Sequence, residues 1–300
     1  MRMMQQEDLL AELAHSAEAV TGVLDKLLAE TDGHENRVME AMRYASLGGG
    51  KRVRPFLVCA TAALFDVDEA RALRTAAAVE MVHCYSLVHD DLPAMDDDVL
   101  RRGQATCHIA FDEATAILAG DALLTKAFEV LADAETHADP GVRSELVAAL
   151  AKASGHEGMV GGQMIDLCAE AHELDIAQIT RLQRMKTGAL IAVSCDLGAL
   201  MGKASEEARH HVLGYAHDIG LAFQIADDLL DVTGDEAEVG KKTGKDADAG
   251  KATFVSLLGV DKASEQAQTL CKQAQEHLAI FDKKADPLRA LATFIVERRS

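Results

Sequence analysis

Two runs of aspartate interrupt segments that are otherwise apolar, and a chain carrying them can bury those segments only if the acids reach a cavity or a cation. The first follows Met81-Val82-His83-Cys84-Tyr85-Ser86-Leu87-Val88-His89 and reads Asp90-Asp91-Leu92-Pro93-Ala94-Met95-Asp96-Asp97-Asp98. The second closes the stretch Ile219-Gly220-Leu221-Ala222-Phe223-Gln224-Ile225-Ala226-Asp227-Asp228-Leu229-Leu230-Asp231. At about 100° per residue, Glu80, His83, Ser86 and Asp90 share one helical stripe; Gly220, Gln224, Asp227 and Asp231 share an edge of another helix, with Asp228 on its flank. The other faces are mostly apolar, the pattern of helices buried in a bundle with a polar edge on a cavity. A solvated acidic helix end is the competing reading. Energetics weigh against it: like charges about 4 Å apart repel by about 1 kcal/mol in water but by about 4 kcal/mol at an effective dielectric of about 20. Without cations, one cluster would have to take up protons.

Asp90 and Asp96 stand about 120° apart on a straight helix. Pro93 disfavours a helical Leu92 and kinks or ends the helix, so that Asp96 can fold back toward Asp90. Oxygen ligands without nearby Cys, and with His only at the margin, select a hard ion. Magnesium keeps waters and shares carboxylates with substrate phosphates, so the pattern predicts a metal site completed by a diphosphate.

The rest of the sequence predicts a single all-α domain over residues 1–300, a bundle of long, mostly antiparallel helices around a central cavity. Helix-forming residues dominate, Trp is absent, and Pro55, Pro93, Pro140 and Pro287 lie far apart, three of them placed to begin helices. The net charge of −19 argues against a nucleic-acid partner and requires local cations around any anionic substrate. Six scattered cysteines without a Cys-x-x-Cys pair read as reduced thiols. Glu7 and Asp8 stand where a signal peptide would carry an apolar run, and no span of about 20 apolar residues occurs. The expectation is a cytoplasmic protein without a membrane anchor.

Basic residues cluster at the expected loops: Lys51-Arg52-Val53-Arg54-Pro55 after Gly48-Gly49-Gly50, Arg101-Arg102 after the first acidic run, Lys186-Thr187, and Lys241, Lys242, Lys245 and Lys251 in a late loop. Arg can grip phosphate oxygens in pairs while Lys supplies a point charge. The triple glycine lacks the Walker pattern, which excludes a nucleotide P-loop. Gly161-Gly162-Gln163, with Asp166 close behind, lets either a ligand or another helix approach, and both readings stay open. Arg298-Arg299 at the C-terminus either fold over the site or are solvated.

Taken together, Gly-Gly-Lys-Arg-Val-Arg-Pro (49–55), Asp-Asp-Leu-Pro-Ala-Met-Asp (90–96), Arg101-Arg102-Gly103, Gly161-Gly162-Gln163-Met164-Ile165-Asp166, Lys186-Thr187, Phe223-Gln224 and Asp227-Asp228-Leu229-Leu230-Asp231 resemble the short-chain trans-prenyltransferases, the polyprenyl diphosphate synthase family, and its bacterial farnesyl diphosphate synthases most. The resemblance runs from about Gly48 to the C-terminus. It implies an isoprenoid synthase fold and a homodimer. It implies that Lys51, Arg54, His83 and Arg102 bind isopentenyl diphosphate. Asp90, Asp91, Asp96, Asp227, Asp228 and Asp231 would hold magnesium, three ions assembled with the allylic diphosphate. Arg101, Lys186, Thr187, Gln224 and Lys241 would contact the allylic diphosphate or the cation left when it departs.

The implied reaction adds isopentenyl diphosphate to dimethylallyl and then geranyl diphosphate by ionisation, condensation and proton loss, giving farnesyl diphosphate, with the released diphosphate as base. Ser86 lies one turn below Asp90 and Tyr85 about 7.5 Å along the axis. From the resemblance, an aromatic five positions before the first Asp is a floor that limits chain growth. Geranyl or geranylgeranyl diphosphate is the alternative product. A terpene cyclase would share the acidic motif but would not need Lys51, Arg54, His83 and Arg102 for a second diphosphate. An acidic scaffold or calcium buffer would leave the cavity-edge placement unexplained, and no EF-hand loop is present.

Overall fold

The computed structural model describes residues 4–30, 32–169, 174–233 and 253–297. Aspartates begin several of its helices. Asp68 accepts the Arg71 N–H ahead of α4 (Glu69–Asp90), Asp112 accepts the Thr115 N–H ahead of α6 (Glu113–Ala132), and Asp139 caps α7 (Pro140–Ser154), where Pro140 takes the first position. Asp175 and Gln178 form a reciprocal capping box at α9 (Ile176–Gln183).

Around these run α1 (Gln6–Leu27), α2 (Asn36–Leu47), α3 (Val53–Leu64), α5 (Cys107–Ala110), α8 (Met159–Ala169), α10 (Ala189–Met201) and α11 (Glu206–Thr233). The short helix α12 (Phe254–Leu258) precedes α13 (Val260–His277) and α14 (Asp286–Glu297). Among the described residues, the strands are two-residue pieces, Leu100–Arg101 and Gln104–Ala105, paired antiparallel as a hairpin between α4 and α5. The all-α expectation holds. Among the described residues no helix is long and apolar enough to cross a membrane.

Two apolar clusters form the core. One gathers residues of α1, α2, α4, α6, α7 and α10; the other gathers residues of α1, α3, α10, α11, α13 and α14. Helix α4 is central to the first. Ala76, Ala77, Ala78, Val79, Met81 and Val82 are fully buried, so it meets neighbours on nearly every side and not along one stripe. Helix α10 joins the clusters by lying close on α3. A Cβ on Gly198 would stand 2.7 Å from the Ala62 nitrogen and 2.8 Å from the Val58 oxygen, so only glycine permits that approach.

A buried ion pair fixes where α2, α3 and α4 meet. Arg52 adopts a left-handed conformation (φ 46°) just before α3, donates to Glu80 on α4 and also to the Ser46 carbonyl near the end of α2. Both side chains are almost wholly withdrawn from solvent. Glu80 therefore departs from the stripe expected to edge the cavity: it faces Arg52, because a buried carboxylate needs a fixed partner. Removing that partner should cost heavily. Glu80→Ala is predicted to destabilise the protein by about 3–5 kcal/mol in urea unfolding, because the Arg52 charge stays buried and unpaired.

Candidate active site

Helix α4 ends at Asp90, and Asp91 is its C-cap. Beyond Pro93 the chain turns back on itself: the Asp96 N–H donates to the Asp90 carbonyl at 2.8 Å and the Met95 N–H to the Leu92 carbonyl at 2.8 Å. The predicted return of Asp96 toward Asp90 is thus made by backbone hydrogen bonds. Asp90 opens on a cleft enclosing roughly 1420 Å³, mouth included, whose lining also holds Arg54, His83, Tyr85, Ser86, Lys186 and Thr187. Much of the remaining wall is apolar, from Leu87, Ile117, Met159, Met164, Leu167 and Leu190.

Burial, acting with the nearby charges of Asp96 and Asp91, raises the Asp90 carboxyl to about 6, against the opposing pull of Lys186 and Arg101. Asp91 is 3% exposed. One of its oxygens accepts from both Arg101 Nε (2.7 Å) and Nη2 (2.6 Å), yet burial still leaves its carboxyl raised. Arg101 thus closes on the acidic run from the hairpin. Next to it, Arg102 turns the other way and donates to the Gly49 carbonyl at 2.5 Å, joining the hairpin to the glycine loop. The loop needs glycine at position 50, whose φ of 129° is a backbone conformation that residues with a Cβ rarely adopt.

Arg54 projects from the first turn of α3 toward α4, with its Nη1 3.5 Å from His83 Nε2. A guanidinium can only donate, so His83 Nε2 accepts and its ring is neutral. Burial and the charges of Arg54, Arg102, Arg52 and Arg101 together hold His83 well below its ordinary value, consistent with that tautomer. Lys51, one step before the buried Arg52, is exposed.

On the opposite wall, residues Arg184–Gly188 form a π-helical turn between α9 and α10. Such turns occur often at functional sites. This one presents Lys186, whose Nζ is 2.5 Å from Asp166 Oδ2, and Thr187 to the cleft. Gly162 explains how α8 comes so near: a Cβ there would lie 2.2 Å from the Lys186 nitrogen, whereas one on Gly161 would strike the His156 oxygen, at 1.9 Å, in the turn leading into α8 itself. Of the two readings left open for this motif, close helix packing is observed at Gly162, while Gln163 of the same motif lines the cleft. The Asp166–Lys186 pair was not legible as a pair, because the partners are 20 residues apart and no local spacing links them.

The second acidic run sits on α11, alongside the π-helical turn. A Cβ on Gly220 would meet the Gly188 Cα at 3.5 Å, so the edge bearing Gln224 starts beside Thr187. Asp227 contributes an attractive charge at Arg54. Asp228 and Asp231 are 6% and 8% exposed, so neither faces bulk solvent. Asp228 Oδ2 accepts the Phe254 N–H at 2.8 Å, an anchoring of α12 that sequence spacing did not announce. Lys241, Lys242, Lys245, Lys251 and Arg298-Arg299 lie outside the described residues. Among the described residues, no three His, Cys, Asp or Glu side chains gather into a metal site by themselves.

The sequence matches the family described as polyprenyl synthetase over residues 35–286. The chain belongs to that family. It is 46% identical over 280 residues to the farnesyl diphosphate synthase of Escherichia coli (strain K12), covering 92% of this chain and 94% of that one. It is 48% identical over 268 residues to the chloroplastic geranylgeranyl pyrophosphate synthase of Catharanthus roseus, covering 87% of this chain and 74% of that one. An apo crystal structure of an FPP/GFPP synthase from Zymomonas mobilis superposes with a TM-score of 0.89 at 49% identity, covering 97% of this chain and all of the other. Membership in the polyprenyl synthetases makes this chain a prenyltransferase.

The acid at the cleft mouth has a measurable cost. Because its carboxyl is raised in the folded state, Asp90 destabilises the metal-free protein increasingly as pH climbs from the ordinary value of 3.8 through about 6. Asp90→Asn is therefore predicted to raise the melting temperature in chelator at pH 8, by an amount equivalent to roughly 1–2 kcal/mol after discounting for solvent at the mouth. The advantage should vanish near pH 4.

Proposed function

We propose that this polyprenyl synthetase condenses isopentenyl diphosphate with dimethylallyl and then geranyl diphosphate to give farnesyl diphosphate, releasing inorganic diphosphate at each step. The observation that carries the reading is the cleft itself: a polar mouth of Asp90, Lys186, Arg54 and neutral His83 above an apolar passage that reaches Tyr85. The second acidic run supports it from α11, through the charge of Asp227 at Arg54.

The donor set fits a hard cation. Asp90 is half-buried next to like charges with its carboxyl raised, so it lacks positive charge, and the acids of both runs offer only oxygen. Magnesium ions held by Asp90, Asp91, Asp96, Asp227, Asp228 and Asp231, three in number with diphosphate oxygens completing their shells, would neutralise the allylic diphosphate and favour its departure. Lys186 and Arg101 add fixed positive charge on either side of Asp90, and Lys241 is assigned to the same task. Lys51, Arg54, His83 and Arg102 hold the second diphosphate, with neutral His83 oriented by Arg54. Thr187 and Gln224 turn oxygen dipoles toward the allylic cation. The apolar wall excludes water that would otherwise trap the cation. The double bond of isopentenyl diphosphate attacks it, forming the new carbon–carbon bond, and the departed diphosphate accepts the proton then lost.

Tyr85 is 8% exposed and, with Ser86, lines the cleft below Asp90. It is the floor that stops growth at fifteen carbons in this reading. We assign the enzyme to the cytoplasm, which suits six cysteines joined by no disulfide. We also assign it a homodimeric state, which would cover exposed Ile109 and Leu118 on α5 and α6.

Incubation with isopentenyl and dimethylallyl diphosphates plus magnesium should give farnesyl diphosphate as the main product; no condensation overturns the assignment. Asp90→Ala and Asp227→Ala should each slow turnover by about 10²–10³-fold or more with helical circular dichroism retained. Tyr85→Ala should shift product toward twenty carbons, and an unchanged length removes Tyr85 from the floor.

A further inference from the structure

Tyr85 does not hold its own position. One turn along α4, the His89 ring meets it edge to face, with centroids 5.3 Å apart and planes at 87°. His89 is in turn fixed to the neighbouring helix: its Nε2 lies 3.0 Å from the Ile117 carbonyl on α6. A carbonyl oxygen only accepts, so Nε2 carries the proton and donates. Asp121 Oδ1, 4.0 Å from the same nitrogen, completes the rim of the seat. The seat exists because residue 120 is glycine. A Cβ there would stand 2.1 Å from His89 Nε2 and 2.4 Å from Cδ2, inside the ring's own volume. His89 also lines the cleft with Tyr85, Ser86 and Ile117, so the wedge between the floor and α6 is part of the passage wall.

We propose that His89 is a specificity-determining positioning residue: wedged between Tyr85 and the glycine seat on α6, it fixes the depth of the passage and hence the product length. The proposal rests on the floor reading of Tyr85. Its physical content is packing. If the wedge is removed, the phenol loses its edge-to-face support and Tyr85 can swing away from the passage. If a methyl group fills the seat, the imidazole is pushed toward Tyr85 and the passage shortens. Two variants on different helices therefore move product length in opposite directions.

The test is the product distribution of the purified protein with isopentenyl and dimethylallyl diphosphates, with melting temperature recorded beside it. A purely structural role for His89 would lower the yield of all products together without changing their ratio. His89→Ala is expected to raise the ratio of twenty- to fifteen-carbon product roughly tenfold, the scale at which a hydrophobic pocket discriminates small changes in size. His89→Gln, whose amide N–H can reach the Ile117 carbonyl, is expected to restore the ratio to within about twofold of the parent. Gly120→Ala is expected to enrich ten-carbon product. If Tyr85→Ala lengthens the product while folded His89→Ala leaves the ratio unchanged, the wedge is overturned and the floor stands. If Tyr85→Ala also changes nothing, the floor falls and the wedge with it. Should His89→Ala fail to fold, Gly120→Ala decides: an unshifted distribution overturns the proposal.

Discussion

Carboxylates withdrawn from water next to one another are the constraint around which this molecule is arranged. Asp90 has lost enough solvent, and stands near enough to Asp96 and Asp91, that its carboxyl rises to about 6. A fold keeps such a group only when a cation relieves it or when function needs the charge. Here some relief is built in. Arg101 grips Asp91 from the hairpin, and Lys186 stands off Asp90 while paired to Asp166. The charge left over suits divalent ions arriving with a diphosphate. In a protein of net charge −19, this concentration of Arg and Lys at one cleft is what makes an anionic substrate approachable.

The precision of that cleft comes from contacts well away from the acids. Arg52 and Glu80 lock α3 to α4, and so fix the separation of Arg54 from His83. Gly162 lets α8 press against the backbone of Lys186, and α11 lies in ordinary contact with Gly188 at Gly220, so the π-helical turn is held from two sides. These glycines pack; they are not there for turns. Catalytic groups held on rigid elements with packed supports keep their geometry better than groups on loops.

Much of the site was legible in the sequence because its signals are local. The helix stop at Pro93, the return of Asp96, and the placing of His83, Ser86 and Asp90 on a cavity follow from helical angle and proline sterics within a few residues, and the structure shows them. The cleft also reaches Tyr85, whose floor role came from the family resemblance. What escaped was long-range. Glu80 looked like part of the cavity stripe because nothing in the sequence says that Arg52, 28 residues earlier, turns left-handed to meet it. Asp228 belongs to the acidic motif and also anchors Phe254, 26 residues later. Gly162 could be read as ligand-facing or helix-facing, since only the partner backbone decides, and that partner, Lys186, is not local in the sequence.

In the proposed reaction the two acidic runs grip a diphosphate through divalent ions and not by basic side chains alone. Titrating inorganic pyrophosphate into the protein in a calorimeter, with magnesium and then with chelator, tests it most directly. Binding should be strong with magnesium and lost without it. Equal affinity in both conditions would contradict it.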